Sequence, residues 1–237
     1  ECVPGGTSTA ACLLELLGVP ALSRVSASLT STVNSTVPEN STGTDNSNHS
    51  AQDKRLGKAQ ILKEELLELA RKRNKSLENL QSDCSDMPLL AVSLAGDPMQ
   101  AYAAGFLLGA ALSIDSSLPV IAAGGSQMLA IWHLANLIAP GVLSQNCLIV
   151  TTSYVADDRH AQVAELARSC RANLLSFDPS LQLSSHAGLQ SYTFGHVKEG
   201  VGAGASCFLA SLLGGLQDKE LVSLIDRTYE QMVAHTL

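Results

Sequence analysis

Leu118-Pro119-Val120-Ile121-Ala122-Ala123-Gly124-Gly125-Ser126-Gln127 runs from a short apolar segment straight into a glycine turn, and a helical pattern follows through Leu137. An uninterrupted apolar run of this length, bounded by a turn signal, fits a strand buried on both faces. Similar units flank it. Leu89–Leu94 leads through Gly96-Asp97-Pro98 into an Ala/Leu-rich helix ending near Ile114. Cys147–Thr152 leads to Asp157-Asp158 and a helix reaching Cys170, and Ala172–Phe177 closes the series. Four short apolar strands alternating with helices predict an α/β fold, a three-layer Rossmann-like parallel sheet with helices on both faces. Open sheets of this kind bind ligands at the carboxyl ends of their strands, where these glycine turns fall.

Outside this core the pattern changes. Leu56–Arg73 is amphipathic, with Ala59, Leu62, Leu66, Leu69 and Ala70 along one side and a Glu68–Lys72 pair at i,i+4. Two helices are expected at the C-terminal end, Ala203–Leu216 and Asp218–Ala234. In the second, Leu221, Leu224, Ile225, Met232 and Val233 make a stripe for the core or a subunit interface. Residues 26–52 are rich in Ser, Thr and Asn and nearly devoid of apolar side chains, which predicts a flexible loop. The sequons at Asn34, Asn40 and Asn48 are expected by chance in such a composition. The expected organisation is therefore one α/β domain over residues 1–237 with the 26–52 loop inside it. Glu1 already lies within a glycine-rich motif, so the natural polypeptide is expected to carry an N-terminal part ahead of it.

Composition narrows the function. A net charge of −7 disfavours nucleic acid as the main ligand, because phosphate backbones are held by clustered Lys and Arg. The six cysteines contain no C-x-x-C pair and the six histidines no H-x-x-x-H pair. Reduced thiols of a cytoplasmic protein, with no metal site and no cofactor, are the expectation. No apolar run is long and uninterrupted enough to predict a membrane span.

Three glycine-rich turns precede helical patterns: Pro4–Thr9, Gly124–Gln127 and Glu199–Gly204. Each offers unpaired backbone N–H groups and the positive end of a helix dipole to a phosphate or carboxylate. Such turns also serve as plain βα connections, and it is their number that favours a ligand. Gln127 is placed to hydrogen-bond one. Gly200–Ala205 also fits a loose G-x-G-x-x-A pattern, but no buried strand leads into it and no βαβ unit follows. Glu199 stands beside Lys198 and near His196. It is either an acid favourably placed at a helix N-terminus or a partly desolvated general base. Lys58 and Lys63 lie on an exposed helix, one of them within reach of a phosphate, and Asp97 is expected to cap the helix after it.

Glu1-Cys2-Val3-Pro4-Gly5-Gly6-Thr7-Ser8-Thr9-Ala10 and Lys198-Glu199-Gly200-Val201-Gly202-Ala203 together resemble two motifs of one family. These are the E-x-G-x-G-N-T-T and G-E-G-x-G-A segments of nicotinate-nucleotide–dimethylbenzimidazole phosphoribosyltransferase, which makes α-ribazole phosphate for the lower ligand of cobalamin. Gly105–Ala111 is similar to the family's Ala/Gly-rich helix, and Pro119-Val120-Ile121 to its next strand. The resemblance is strongest to a related branch found in cyanobacteria and archaea, which shows V-P-G-G-T-T, G-D-P-M, A-G-G-T-Q-M and V-K-E-G-V-G-A-G at these places. It covers nearly the whole chain outside the Ser/Asn-rich loop.

The resemblance implies transfer of a phosphoribosyl group from nicotinate mononucleotide to an aromatic base, with Glu199 as general base. It implies that Gly5, Gly6, Thr7 and Gly200 surround the phosphate and ribose, that Glu1 lies near the base pocket, and that Lys58 contacts phosphate. Gly124, Gly125, Gln127, Lys198 and Gly202 complete the expected substrate-binding set. A homodimer is implied as well, with no nucleic-acid or membrane partner. There are departures from the family pattern. Val3 stands for a Gly, Gly6 for an Asn, and Ala123-Gly124 for a strand-end Asp-Gly. Thr151-Thr152-Ser153-Tyr154-Val155 occupies the region of an S-H-x-S-x-E-x-G-H stretch. The alternative is therefore a non-catalytic nucleotide-binding or regulatory protein that kept the phosphate loops.

Overall fold

The computed structural model describes residues 6–24, 46–113, 119–158, 161–194 and 202–234, with backbone alone for 46–55 and 194. Its centre is a parallel sheet of three strands, β1 (Val120–Ala123), β2 (Cys147–Thr152) and β3 (Leu174–Phe177), in the order β1-β2-β3. Val120 is registered on Cys147, and Val150 on Leu175. Before the sheet come α1 (Gly6–Leu16), α2 (Asn46–Lys72), α3 (Leu77–Asp86), α4 (Pro88–Ala95) and α5 (Pro98–Ser113). Helix α6 (Ser126–Ile138) links β1 to β2, while α7 (Ser153–Ala156) and α8 (Val163–Ser169) link β2 to β3. After the sheet come the short α9 (Ala187–Gln190) and the long α10 (Ala203–Gly214) and α11 (Asp218–Ala234). This is the expected Rossmann-like α/β architecture.

Strand β2 explains the layering. It is almost wholly buried and rich in β-branched residues, Ile149, Val150, Thr151 and Thr152, which suit a strand covered on both sides. Side chains alternate between faces. Cys147 and Ile149 join the main core with Leu13 and Leu14 of α1, Leu129, Trp132 and Leu134 of α6, and Val163 and Leu166 of α8. Val150, Leu175 and Phe177 project from the other face. There Phe177 meets Phe208 of α10 edge-to-face, with ring centroids 6.1 Å apart. Helices thus cover both faces of the sheet.

Several expectations are corrected. Leu89–Leu94 lies within α4 and is not a strand. A short apolar run does not distinguish a buried strand from a buried helix, and Pro88 at the first helical position with small Ala91 buried inward settles it as helix. Asp157-Asp158 follows α7, and α8 begins only at Val163, after Gln162 in a left-handed conformation. Helix α2 starts at Asn46, inside the segment expected to be a loop, and the remainder of that loop lies outside the described residues. Of the α11 stripe, expected for the core or a subunit interface, Leu221 is in the core while Leu224, Met232 and Val233 are exposed on this chain, which leaves the interface branch of that expectation standing. Other expectations hold. Leu62, Leu66 and Ala70 bury the inner side of α2, Glu68 and Lys72 pair at 2.8 Å, and Asp97 caps α5 by accepting from Met99 N at 2.8 Å. No described helix is long and apolar enough to cross a membrane.

Helices α1 and α6 are also joined by a polar contact. His133 Nε2 donates to the Leu17 carbonyl at 3.3 Å, which fixes the proton on that nitrogen. Burial holds the His133 pKa below its ordinary 6.5, and the bond to Leu17 only partly offsets this. The unfolded chain therefore binds the extra proton first as pH falls, so this contribution is complete above pH 6.5 and is lost on acidification below it. Urea denaturation should show a midpoint that drops between pH 7.5 and pH 5.5. The drop should shrink in His133→Gln, which donates to the same carbonyl but does not titrate.

Candidate functional site

The site is built where β1 and β2 end. Gly124 leaves β1 at φ +150°, a backbone conformation that favours glycine, while its N–H still donates to Val150 O at 3.0 Å. Gly125 follows, so close to Val155 that an added Cβ would lie 2.9 Å from its Cγ1. Helix α6 then starts at Ser126, which is buried, with Gln127 in its first turn. The Gln127 carboxamide reaches across to α1, where a Cβ on Gly6 would lie 2.8 Å from Nε2. The first turns of α1 and α6 therefore meet through Gly6 and Gln127.

The third turn arrives from the far end of the chain. Gly204, in the first turn of α10, lies directly on the end of β2. A Cβ there would be 2.3 Å from the Thr151 carbonyl carbon and 2.6 Å from Thr152 N. Both threonines are buried, at 1% and 3% exposure. Three helix N-termini thus gather around the carboxyl ends of β1 and β2. None of α1, α6 and α10 carries an acidic side chain in its first turn, and neither α6 nor α10 has a side-chain cap. By contrast, Ser76 caps α3, and Asp218 and Glu220 open α11, whereas α4, α7 and α9 are also without a side-chain cap or a first-turn acid. Among the described residues, the first turns of α1, α6 and α10 direct backbone N–H groups and positive dipole ends toward one place, with the buried Thr151 and Thr152 beside them, an arrangement suited to an anion.

Of the expected site residues, the structure gathers Gly6, Thr7, Gly124, Gly125, Gln127 and Gly202 at this place. Lys58 lies half-buried on α2, close enough to Cys12 of α1 for its charge to act on that thiol. Burial prevails there and pushes Cys12 up to about 11. Glu1, Gly5, Lys198, Glu199 and Gly200 lie outside the described residues. Thr151, Thr152 and Gly204 were not among the expected site residues. Their signal is two hydroxyl residues closing an otherwise apolar strand, and a third glycine beyond Gly200 and Gly202.

This geometry has known counterparts in sequence. The chain is 35% identical over 215 residues to a UPF0284 protein of Methanothermobacter thermautotrophicus, covering 90% of this chain and 50% of that protein. It is 32% identical over 231 residues to one from Thermosynechococcus vestitus, covering 96% of this chain and 52% of the relative. One from Archaeoglobus fulgidus is 34% identical over 234 residues, covering 98% and 54%. The chain is similar to UPF0284 proteins over nearly its whole length. The relatives come from archaea and cyanobacteria, as the motifs imply, and the UPF0284 name states no reaction. The chain spans about half the length of these relatives. No family model matches it.

The glycines of the site differ in what they tolerate. Gly204→Ala puts a methyl into the backbone of β2, which has nowhere to move, and should cost about 2–3 kcal/mol or more. Gly6→Ala meets only the tip of a flexible Gln127 and should cost about 1 kcal/mol or less. Urea denaturation of the two variants checks the ranking, and equal losses would contradict it.

Proposed function

We propose that this protein carries out phosphoribosyl transfer from nicotinate mononucleotide to a benzimidazole-type base. The observation that supports this best is the meeting, at the ends of β1 and β2, of three helix N-termini with no acid in their first turns. That arrangement suits the phosphate and ribose of a mononucleotide. The E-C-V-P-G-G-T and K-E-G-V-G-A motifs supply the rest of the proposal. A lone pair on one nitrogen of the acceptor attacks the anomeric carbon. The bond to the pyridinium nitrogen breaks, its electron pair leaves with nicotinate, and the proton on the acceptor's other nitrogen passes to the Glu199 carboxylate. The cationic pyridinium is already an activated leaving group, so positioning and one base carry the reaction.

A second reading is favoured by what ends the strands. Ala123-Gly124 and Thr151-Thr152 place neither carboxylate nor imidazole at the tips of β1 and β2. A protein that binds the nucleotide as a regulatory ligand, without transfer, needs neither.

Incubation with nicotinate mononucleotide and a panel of benzimidazoles and purines separates the two, using both this chain and the full-length Methanothermobacter relative. Nicotinate release is followed by chromatography and nucleotide binding by calorimetry. Transfer predicts release with at least one base, and a drop of about 100-fold or more in Glu199→Gln with nucleotide affinity unchanged. Binding without release by either protein, for every base, would sink the enzymatic reading and favour the regulatory one.

A further inference from the structure

Among the described residues, β1 pairs with β2 and with no second strand. Val120 N donates to Asn146 O and Gly124 N to Val150 O, so the alternation of strand backbone turns the Ile121 and Ala123 N–H groups to the opposite side. No charged side chain blunts this edge: Val120, Ile121, Ala122 and Ala123 are all apolar, and all are half-buried.

Helix α1 indicates what belongs there. It runs beside α6 in the same direction, since Gly6 meets Gln127 at their first turns and Leu17, just past the end of α1, meets His133 further along α6. Both helices pack into the same core on the same face of the sheet. Helix α6 is entered from the carboxyl end of β1. A helix starting at the same level and running the same way is entered likewise, from the carboxyl end of a strand parallel to β1. The crossovers β1–α6–β2 and β2–α8–β3 step across the sheet in one direction with their helices on that face. A strand beside β1 that leads into α1 continues the step with the same hand.

We propose that the open edge of β1 is the docking site for a fourth parallel strand leading into α1. It is supplied by the part of the UPF0284 polypeptide that this chain does not span. The relatives are about twice as long as the stretch they share with this chain, which leaves room for further βα units. The neighbouring surface is suited to being covered by them. Helix α5 packs on β1 and α6, carries no charged residue, and exposes Tyr102, Phe106 and Leu112. A second copy related by a two-fold axis would bring β1 antiparallel against itself and leave α1 without its strand. The fourth strand would end level with Gly6 and Gly124, on the rim of the candidate site. The pairing is between backbones and does not depend on which nucleotide chemistry the site performs.

Amide hydrogen exchange followed by NMR tests this, comparing the 237-residue chain with the full-length Methanothermobacter relative. In this chain Ile121 and Ala123 should exchange about a hundredfold faster than Val120 and Gly124, which face β2. In the full-length relative, the outward amides of the matching strand should be protected as well as the inward ones. Fast exchange of those outward amides in the full-length protein would overturn the proposal. So would protection of Ile121 and Ala123 that rises with the concentration of the 237-residue chain, because it would give the edge to a second copy.

Discussion

Gly204 rests on the peptide joining Thr151 to Thr152, with no room for even one carbon atom between them. Contact of backbone with backbone at this distance is what only glycine permits. It anchors one side of the candidate site. It fixes the start of α10 at the tip of β2, and it thereby sets the line along which α10 crosses the sheet. Phe208, one turn further on, then meets Phe177 and closes the second face of β2 and β3. On the first face Gly6 and Gln127 make the corresponding close approach, more loosely, through a side chain that can give way. The first turn of α10 is thus rigidly placed, and the α1–α6 contact is adjustable.

That difference bears on chemistry. A cradle for a phosphate needs fixed N–H groups, whereas discrimination between ligands profits from a carboxamide able to adapt its donor and acceptor. The described cysteine thiols are all raised by their surroundings. Cys170 is pushed up to about 12 and Cys84 to about 11 by burial, and the Cys147 and Cys207 thiols are raised for the same reason. A raised thiol pKa disfavours the reactive thiolate.

How much of this is legible in sequence depends on which physical signal carries it. Cys147–Thr152 is read to the residue because a strand buried on both faces must be apolar throughout and sits between turn residues. The same logic fails at Leu89–Leu94, where α4 is buried by its neighbours without being amphipathic, so its composition matches that of a strand. Helix α3 escapes notice altogether. Only Leu80 and Cys84 are buried in it, too few to set a period, and its start is marked only by Ser76 and the first-turn Glu78. At the site, Gly124–Gln127 is visible as a strand-to-helix turn. The meeting of Gly6 with Gln127, or of Gly204 with Thr151, is not, because close approach between segments distant in the chain has no local signature.

The overall charge of −7 need not oppose an anionic ligand at this place. Exposed charges act through water and salt, and their influence fades over about 8–10 Å. The helix N-termini act at contact distance and through donors that cannot be screened once a ligand sits on them. What decides binding is therefore whether an acid stands inside that short range. The first turns of α1, α6 and α10 contain none, while Glu65 and Glu68 of α2 line a groove that Ser8 and Thr9 of α1 also line. A protein can be acidic overall and still present, at the ends of two strands, helix first turns that carry no acid. Such an arrangement is suited to an anion through peptide dipoles, without requiring Lys or Arg at contact.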